Sequence, residues 1–135
     1  VKGAVMPQKK LIRILYAEDE PDIKSIAQIA LEDIGGFTVK YCNNGREVLD
    51  EAEAFQPDLL LLDVMMPGMD GPSALLELRK RPQLKDIPAI FMTAKIQSIE
   101  IQEYKAIGVA GIIEKPFDPM TLAERIQEYW NKING

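Results

Sequence analysis

The stretch "DLLLLDV", residues 58–64, decides the fold. Its four leucines are continuous, whereas a strand with one wet face would alternate apolar and polar residues. The run is also too short for a helix and sits between turn-forming residues. It therefore reads as a central parallel strand buried on both faces. Parallel neighbours need crossover connections, usually helices. Asp63 closes the run, and "MPG" at 66–68 then turns the chain away. A carboxylate there either caps a turn or is exposed for chemistry.

Working outward, four more apolar runs alternate with amphipathic ones. Strands are expected at 11–17, 37–42, 88–94 and 111–115. Helices are expected at 21–34, 45–55, 71–81, 97–108 and 118–133. In the first helix Ile23, Ile26, Ala27, Ala30 and Ile34 form the expected inward face, and Gly35-Gly36 end it. Pro57 closes the second helix. Asp118 and Pro119 read as N-cap and first residue of the last helix. Five strand–helix repeats imply an α/β fold with a parallel sheet and right-handed crossovers. Residues 1–10 read as an N-terminal tail, in which Met6 is a natural start and Val1–Val5 a cloning remnant. Residues 11–135 form one domain.

The chain has 135 residues and a net charge of −5, which argues against neutralising nucleic-acid phosphates. It has no histidine, so histidine-based triads and histidine metal sites are excluded. The single cysteine, Cys42, allows no internal disulfide and reads as a small packed side chain. That fits the cytoplasm, as does the absence of a long apolar leader or a membrane-length run.

In open parallel sheets, function gathers beyond the carboxyl ends of the strands. The first strand ends in Glu18-Asp19-Glu20, the third in Asp63, the fourth in Thr93 and the fifth in Lys115. Singly, these read as helix caps, turn residues and a solvated lysine. Together they put three carboxylates, a hydroxyl and a lysine at one edge. Close carboxylates repel by several kcal/mol in a partly buried site, on the order of magnitude expected for like charges. Hard oxygen donors suit Mg²⁺, with the Met65 carbonyl available to complete the shell. Such a pocket fits a tetrahedral dianion, with Asp63 as a nucleophile that becomes an acyl phosphate.

The stretches "ILYAEDEP", "PDLLLLDVMMPGMDG", "IPAIFMTA" and "IIEKPFDP" occur in that order across residues 12–133. In them the sequence resembles the receiver domain of bacterial two-component response regulators, of the single-domain chemotaxis-regulator type. The resemblance implies a doubly wound, flavodoxin-like sheet of order 2-1-3-4-5 with helices on both faces. It implies that Asp63 is phosphorylated, and that Glu18, Asp19, Asp63 and the Met65 carbonyl hold Mg²⁺ or Mn²⁺. Thr93 matches the switch hydroxyl, Ala94 the small residue beside the phosphoryl group, and Lys115 its cationic partner before a cis proline. Two positions depart from the commoner pattern. Glu18 stands where aspartate is usual, and Ile112 stands where an aromatic usually completes the switch.

The expected function is phosphoacceptance in two-component phosphorelay signalling. The donor is a sensor histidine kinase or histidine phosphotransfer protein. The chain is expected to catalyse only its own phosphorylation and dephosphorylation, with Met65 and Lys95 tuning the phosphoryl lifetime. With no output domain in the given sequence, the output is expected to be an interaction with a downstream protein or a second copy, whether the chain is a stand-alone regulator, a phosphorelay shuttle or the receiver of a larger protein. The expected face is the fourth helix, fifth strand and fifth helix, including Ile101, Tyr104 and Ile112. Ile101 lies off the stripe of Ile99, Glu103 and Ile107, so it reads either as exposed or as ordinary core. The alternative is a phosphorylation-independent interaction module. A haloacid-dehalogenase-type phosphatase needs a second aspartate where Met65 stands. A flavin binder needs a phosphate loop where Glu18-Asp19-Glu20 would repel one.

Overall fold

The computed structural model describes residues 9–94 and 97–134. Residues 1–8 of the expected tail, and Lys95, lie outside them. The strands are β1 (Arg13–Ala17), β2 (Thr38–Cys42), β3 (Leu59–Asp63), β4 (Ala89–Thr93) and β5 (Gly111–Glu114). The helices are α1 (Pro21–Gln28), α2 (Gly45–Phe55), α3 (Gly71–Leu78), α4 (Ser98–Ile107) and α5 (Leu122–Asn134). All pairings are parallel, in the order β2-β1-β3-β4-β5.

The leucine run is the centre of this sheet. Leu60 and Leu62 pack into one core with Leu15, Leu75 and Phe91. Leu59 and Leu61 pack into a second core with Tyr16, Ile90 and Ile126. All four leucines are fully buried. Complete burial stabilises by about 1.5–3 kcal/mol per leucine, so this strand carries much of both cores. It delivers Asp63 at its carboxyl end from a rigid backbone.

Element ends differ from the sequence reading in instructive places. Asp58 is not in β3. Its carboxylate accepts from the amides of Ile12 (3.0 Å) and Arg13 (2.8 Å), tying the entrance of β3 to β1. The second helix ends before Pro57 as expected, through Gln56 in the left-handed region (φ 54°). The third ends at Leu78, and the next turns are pinned by Arg79, whose Nη1 donates to Ile87 O at 2.6 Å.

The inward face of the first helix is narrower than expected. Ala27, Ala30 and Leu31 are buried, whereas Ile26, Ile29 and Ile34 are about half exposed. Small alanines let the helix lie close to the sheet, which leaves the larger isoleucines at its flanks. The helix also widens to π geometry over Ile29–Ile34, where Gly35 N donates to Ala30 O at 3.1 Å. A Cβ on Gly35 would stand 2.8 Å from Ala123 Cβ, so the close approach to α5 requires glycine there.

The last helix begins at Leu122 and not at Asp118. Asp118 instead closes a turn: its Oδ1 accepts from Met120 N (2.9 Å) and its carbonyl from Leu122 N (3.0 Å). Leu122, Ala123, Ile126 and Trp130 then form the buried stripe of α5. On α4 Ile101 takes the core reading, and Ile99 of the expected stripe does not. Ile99 is the exposed isoleucine (63%), while Ile101, Tyr104 and Ile107 are half-buried.

Candidate functional site

The carboxyl edge gathers the residues singled out in the sequence. Glu18 follows β1, and its amide donates to Cys42 O (3.0 Å), extending the ladder with β2 by one residue. Asp63 ends β3, and Val64 N donates to Met92 O (2.9 Å) on β4. Lys115 follows β5, and its amide donates to Thr93 O (2.8 Å) at the end of β4. The parallel register thus holds all four strand ends level.

Glu18 is fully buried, Asp63 is 2% exposed and Thr93 5%. Lys115 Nζ donates to Asp63 Oδ2 at 2.9 Å and to Glu18 Oε1 at 3.1 Å. Ligand oxygens of Glu18, Asp19 and Asp63 lie within 4.8 Å of one another, with Asp19 half-buried at the mouth. One lysine therefore faces three carboxylates. Burial, and then the charge of Asp63, push the Glu18 carboxyl above its ordinary range, although Lys115 and the Glu20 amide oppose this. Burial works against the charged form of Lys115, but its bonds to Asp63 and Glu18 outweigh this and raise its pKa. The excess of buried negative charge calls for a further cation.

The donor set fits one. Three carboxylate groups supply hard oxygen at a single mouth, the chemistry preferred by Mg²⁺. Beyond Asp63 the side chains alternate, with Val64 and Met66 buried on either side of an exposed Met65. Met65 is 75% exposed, its amide donating to Asp63 Oδ1 at 3.4 Å. Gly68 adopts φ 77°, which makes the "MPG" turn. Gly71 packs against the carbonyl of Asp63 so closely that a Cβ would sit 2.4 Å from that oxygen. Ala94 is exposed beside the site, and the Lys115–Pro116 peptide is cis.

Ile112 is half-buried on β5 and pairs in register with Phe91 on β4. An aromatic approaches this region from another element: the Tyr104 ring on α4 meets Phe91 edge-on, with centroids 5.0 Å apart.

Two features of the site were not read from the sequence. The first is Tyr16, fully buried on β1, whose hydroxyl reaches Glu18 Oε1 at 3.5 Å. Strand periodicity carries the signal, because residues 16 and 18 share a face. The second is an apolar rim. Ile23, Ile26, Lys115, Pro116, Phe117 and Pro119 line a cavity of about 120 Å³, with exposed Met120 close by in the chain. It was hidden by the assumption that Ile26 faces inward.

Fold and site together define a doubly wound α/β domain with a buried acidic pocket closed by a lysine. The profile of the response regulator receiver domain matches residues 14–127, and the chain belongs to that family. It is 30% identical to the chemotaxis protein CheY of Pseudomonas aeruginosa, over 92% of this chain and 100% of that one. It is 36% identical to response regulator Rre1 of Synechocystis, over 80% of this chain but 47% of that one. The chain spans about half the length of several such relatives. The crystal structure of chemotaxis protein CheY4 of Vibrio cholerae superposes with a TM-score of 0.82 at 31% identity, covering 89% of this chain and 99% of that one. This is therefore a receiver domain of the two-component type, with a CheY-like fold. Among the described residues no helix is long and apolar enough to cross a membrane.

Proposed function

We propose that the domain accepts a phosphoryl group on Asp63 from a phosphohistidine protein and thereby alters its surface for a partner. The observation that carries this reading is the position of Lys115 Nζ, 2.9 Å from Asp63 Oδ2 inside a pocket with two more carboxylates. A structural ion pair would need no third carboxylate. A site that must hold a cation and then a phosphoryl dianion does.

In the transfer, an Asp63 carboxylate oxygen attacks phosphorus, the new O–P bond forms, and the P–N bond to the donor imidazole breaks. Lys115 stays protonated and moves its hydrogen bond from the carboxylate to a phosphoryl oxygen. Thr93, at the end of the neighbouring strand, offers its hydroxyl to another. Asp19, Asp63, the Met65 carbonyl and Glu18 would hold Mg²⁺, which would supply compensating positive charge. Preorganisation is what the chain contributes: the buried β3 and β4 fix the reacting groups before the donor arrives.

A protein donor is favoured by the rim. Ile23, Ile26, Pro116, Phe117 and Pro119 surround the approach to Lys115 with apolar surface that a helix of a donor protein would cover. The output face is proposed on α4, β5 and α5. No residue of α4 is fully buried, and Ile99 is 63% exposed, so this helix is the most easily displaced and the best placed to meet a partner. New charge-assisted bonds at Thr93 and Lys115 would bias its position.

The test is incubation with Mg²⁺ and a small acyl-phosphate donor, followed by intact-mass measurement. A gain of one phosphoryl group that disappears in Asp63→Asn is expected. Absence of the adduct with both the small donor and a phosphohistidine protein would leave the phosphorylation-independent interaction module.

A further inference from the structure

We propose that Tyr16 is a positioning residue for the metal pocket, fixing the Glu18 carboxylate beside those of Asp19 and Asp63. The inference rests on the phosphoacceptor reading above and deepens it at a residue outside the motif.

Glu18 is one methylene longer than the aspartate usual at its position, and a longer arm has more rotamers to choose among. In this protein its choice is constrained on every side. Glu18 Oε2 accepts from Glu20 N at 3.2 Å, and Oε1 accepts from Lys115 Nζ at 3.1 Å and from the Tyr16 hydroxyl at 3.5 Å. Glu18 is the sole hydrogen-bond partner of that hydroxyl among the described residues. A fully buried phenol needs an acceptor, so the pairing matters to both side chains.

Tyr16 is itself held in place. It lies in the β1 ladder between Tyr41 and Leu61, and its ring meets that of Tyr41 edge-on at 6.0 Å. The scaffold therefore aims the hydroxyl, and the hydroxyl aims Oε1. With Oε1 held by Tyr16 and Lys115, and Oε2 by a backbone amide, the Glu18 carboxylate is fixed in place beside those of Asp19 and Asp63. Groups that orient metal ligands or their waters typically change affinity 10–100-fold when removed.

The experiment is calorimetric titration of the full chain with Mg²⁺ alone, with no phosphodonor present. Tyr16→Phe keeps the ring and removes the hydroxyl, and it should weaken Mg²⁺ binding by about ten-fold. Tyr16→Met fills the space without a hydroxyl and should weaken it likewise. In a Glu18→Asp background the shorter arm no longer meets Tyr16, and Tyr16→Phe should then have no effect. Unfolding in urea checks that each variant is folded. Unchanged affinity in the folded Tyr16 variants would overturn the proposal, as would an equal loss in the Glu18→Asp background. Failure of the unsubstituted chain to bind Mg²⁺ would instead count against the phosphoacceptor reading itself.

Discussion

Lys115 Nζ stands 2.9 Å from Asp63 Oδ2, with side-chain exposures of only 11% and 3%. The same nitrogen is 3.1 Å from Glu18 Oε1, which is fully buried. One cation thus screens two carboxylates that would otherwise repel each other across a low-dielectric gap. Removing it leaves uncompensated buried charge. Lys115→Met should lower stability by about 3 kcal/mol in metal-free buffer near neutral pH. Added Mg²⁺ should recover part of that loss, because it supplies the missing charge. Urea unfolding with and without the ion measures both effects.

Gly71 touches the site without taking part in its chemistry. A Cβ there would press to 2.4 Å on the backbone oxygen of Asp63, and backbone cannot yield as a flexible side chain does. Gly71→Ala should displace the carboxylate and slow phosphorylation by about 10²-fold, the scale for an ångström-sized misplacement of a reacting group. The mass assay followed over time measures the rate.

How much of this was legible in the sequence follows from the kind of information each feature carries. The sheet was legible because β3 is a continuous apolar run and the other strands are short, β-branched or aromatic. The site was legible because strand ends in a parallel sheet are level, so Glu18, Asp63, Thr93 and Lys115 could be brought together by counting strands. The faces of helices were less legible. Helical spacing alone places Ile23, Ile26, Ala27, Ala30 and Ile34 on one inward face. Of these the sheet fully buries only the small Ala27 and Ala30, which permit a close approach, and leaves Ile26 and Ile34 about half exposed. On α4, Ile99 and Ile101 were distinguished by one choice of stripe, and the helix presents the other. Asp118 had cap chemistry, but its side chain serves the turn before α5. Tyr16 was overlooked because a strand tyrosine ordinarily reads as core packing alone.

The rim predicts a separation between donors. Ile26 is 46% exposed beside Lys115 and Phe117 and makes no contribution to the acidic pocket. Ile26→Asp should slow transfer from a phosphohistidine protein by about ten-fold or more, as expected for a desolvated apolar contact. Phosphorylation by a small acyl-phosphate donor should be unchanged. Comparing the two rates in one variant checks the surface independently of the chemistry.

Asp58 provides the pH prediction, at the opposite end of the sheet. Burial raises its carboxyl, but the amides of Arg13 and Ile12, with Lys9, outweigh that and hold it below its ordinary value of 3.8. A carboxylate lowered in the folded state stabilises above its unfolded pKa and loses that contribution as pH falls through the folded one. Asp58→Ala should therefore cost about 1–2 kcal/mol at neutral pH, mainly from the two unpaired amides. Part of its difference from the unsubstituted chain should shrink as pH falls below the ordinary aspartate range and through the lowered folded value. Denaturant unfolding across the acid range measures this. The exposed Lys9 contact adds little.

That Asp63 carries the phosphoryl group is tested most directly by phosphorylating the chain in Mg²⁺, reducing the acyl phosphate to an alcohol with borohydride, and mapping the modified peptide. One modified position is expected, Asp63, with no modification when Mg²⁺ is withheld. Modification at Asp19 or Glu18 in place of Asp63, or none at all with both donor types, would contradict it.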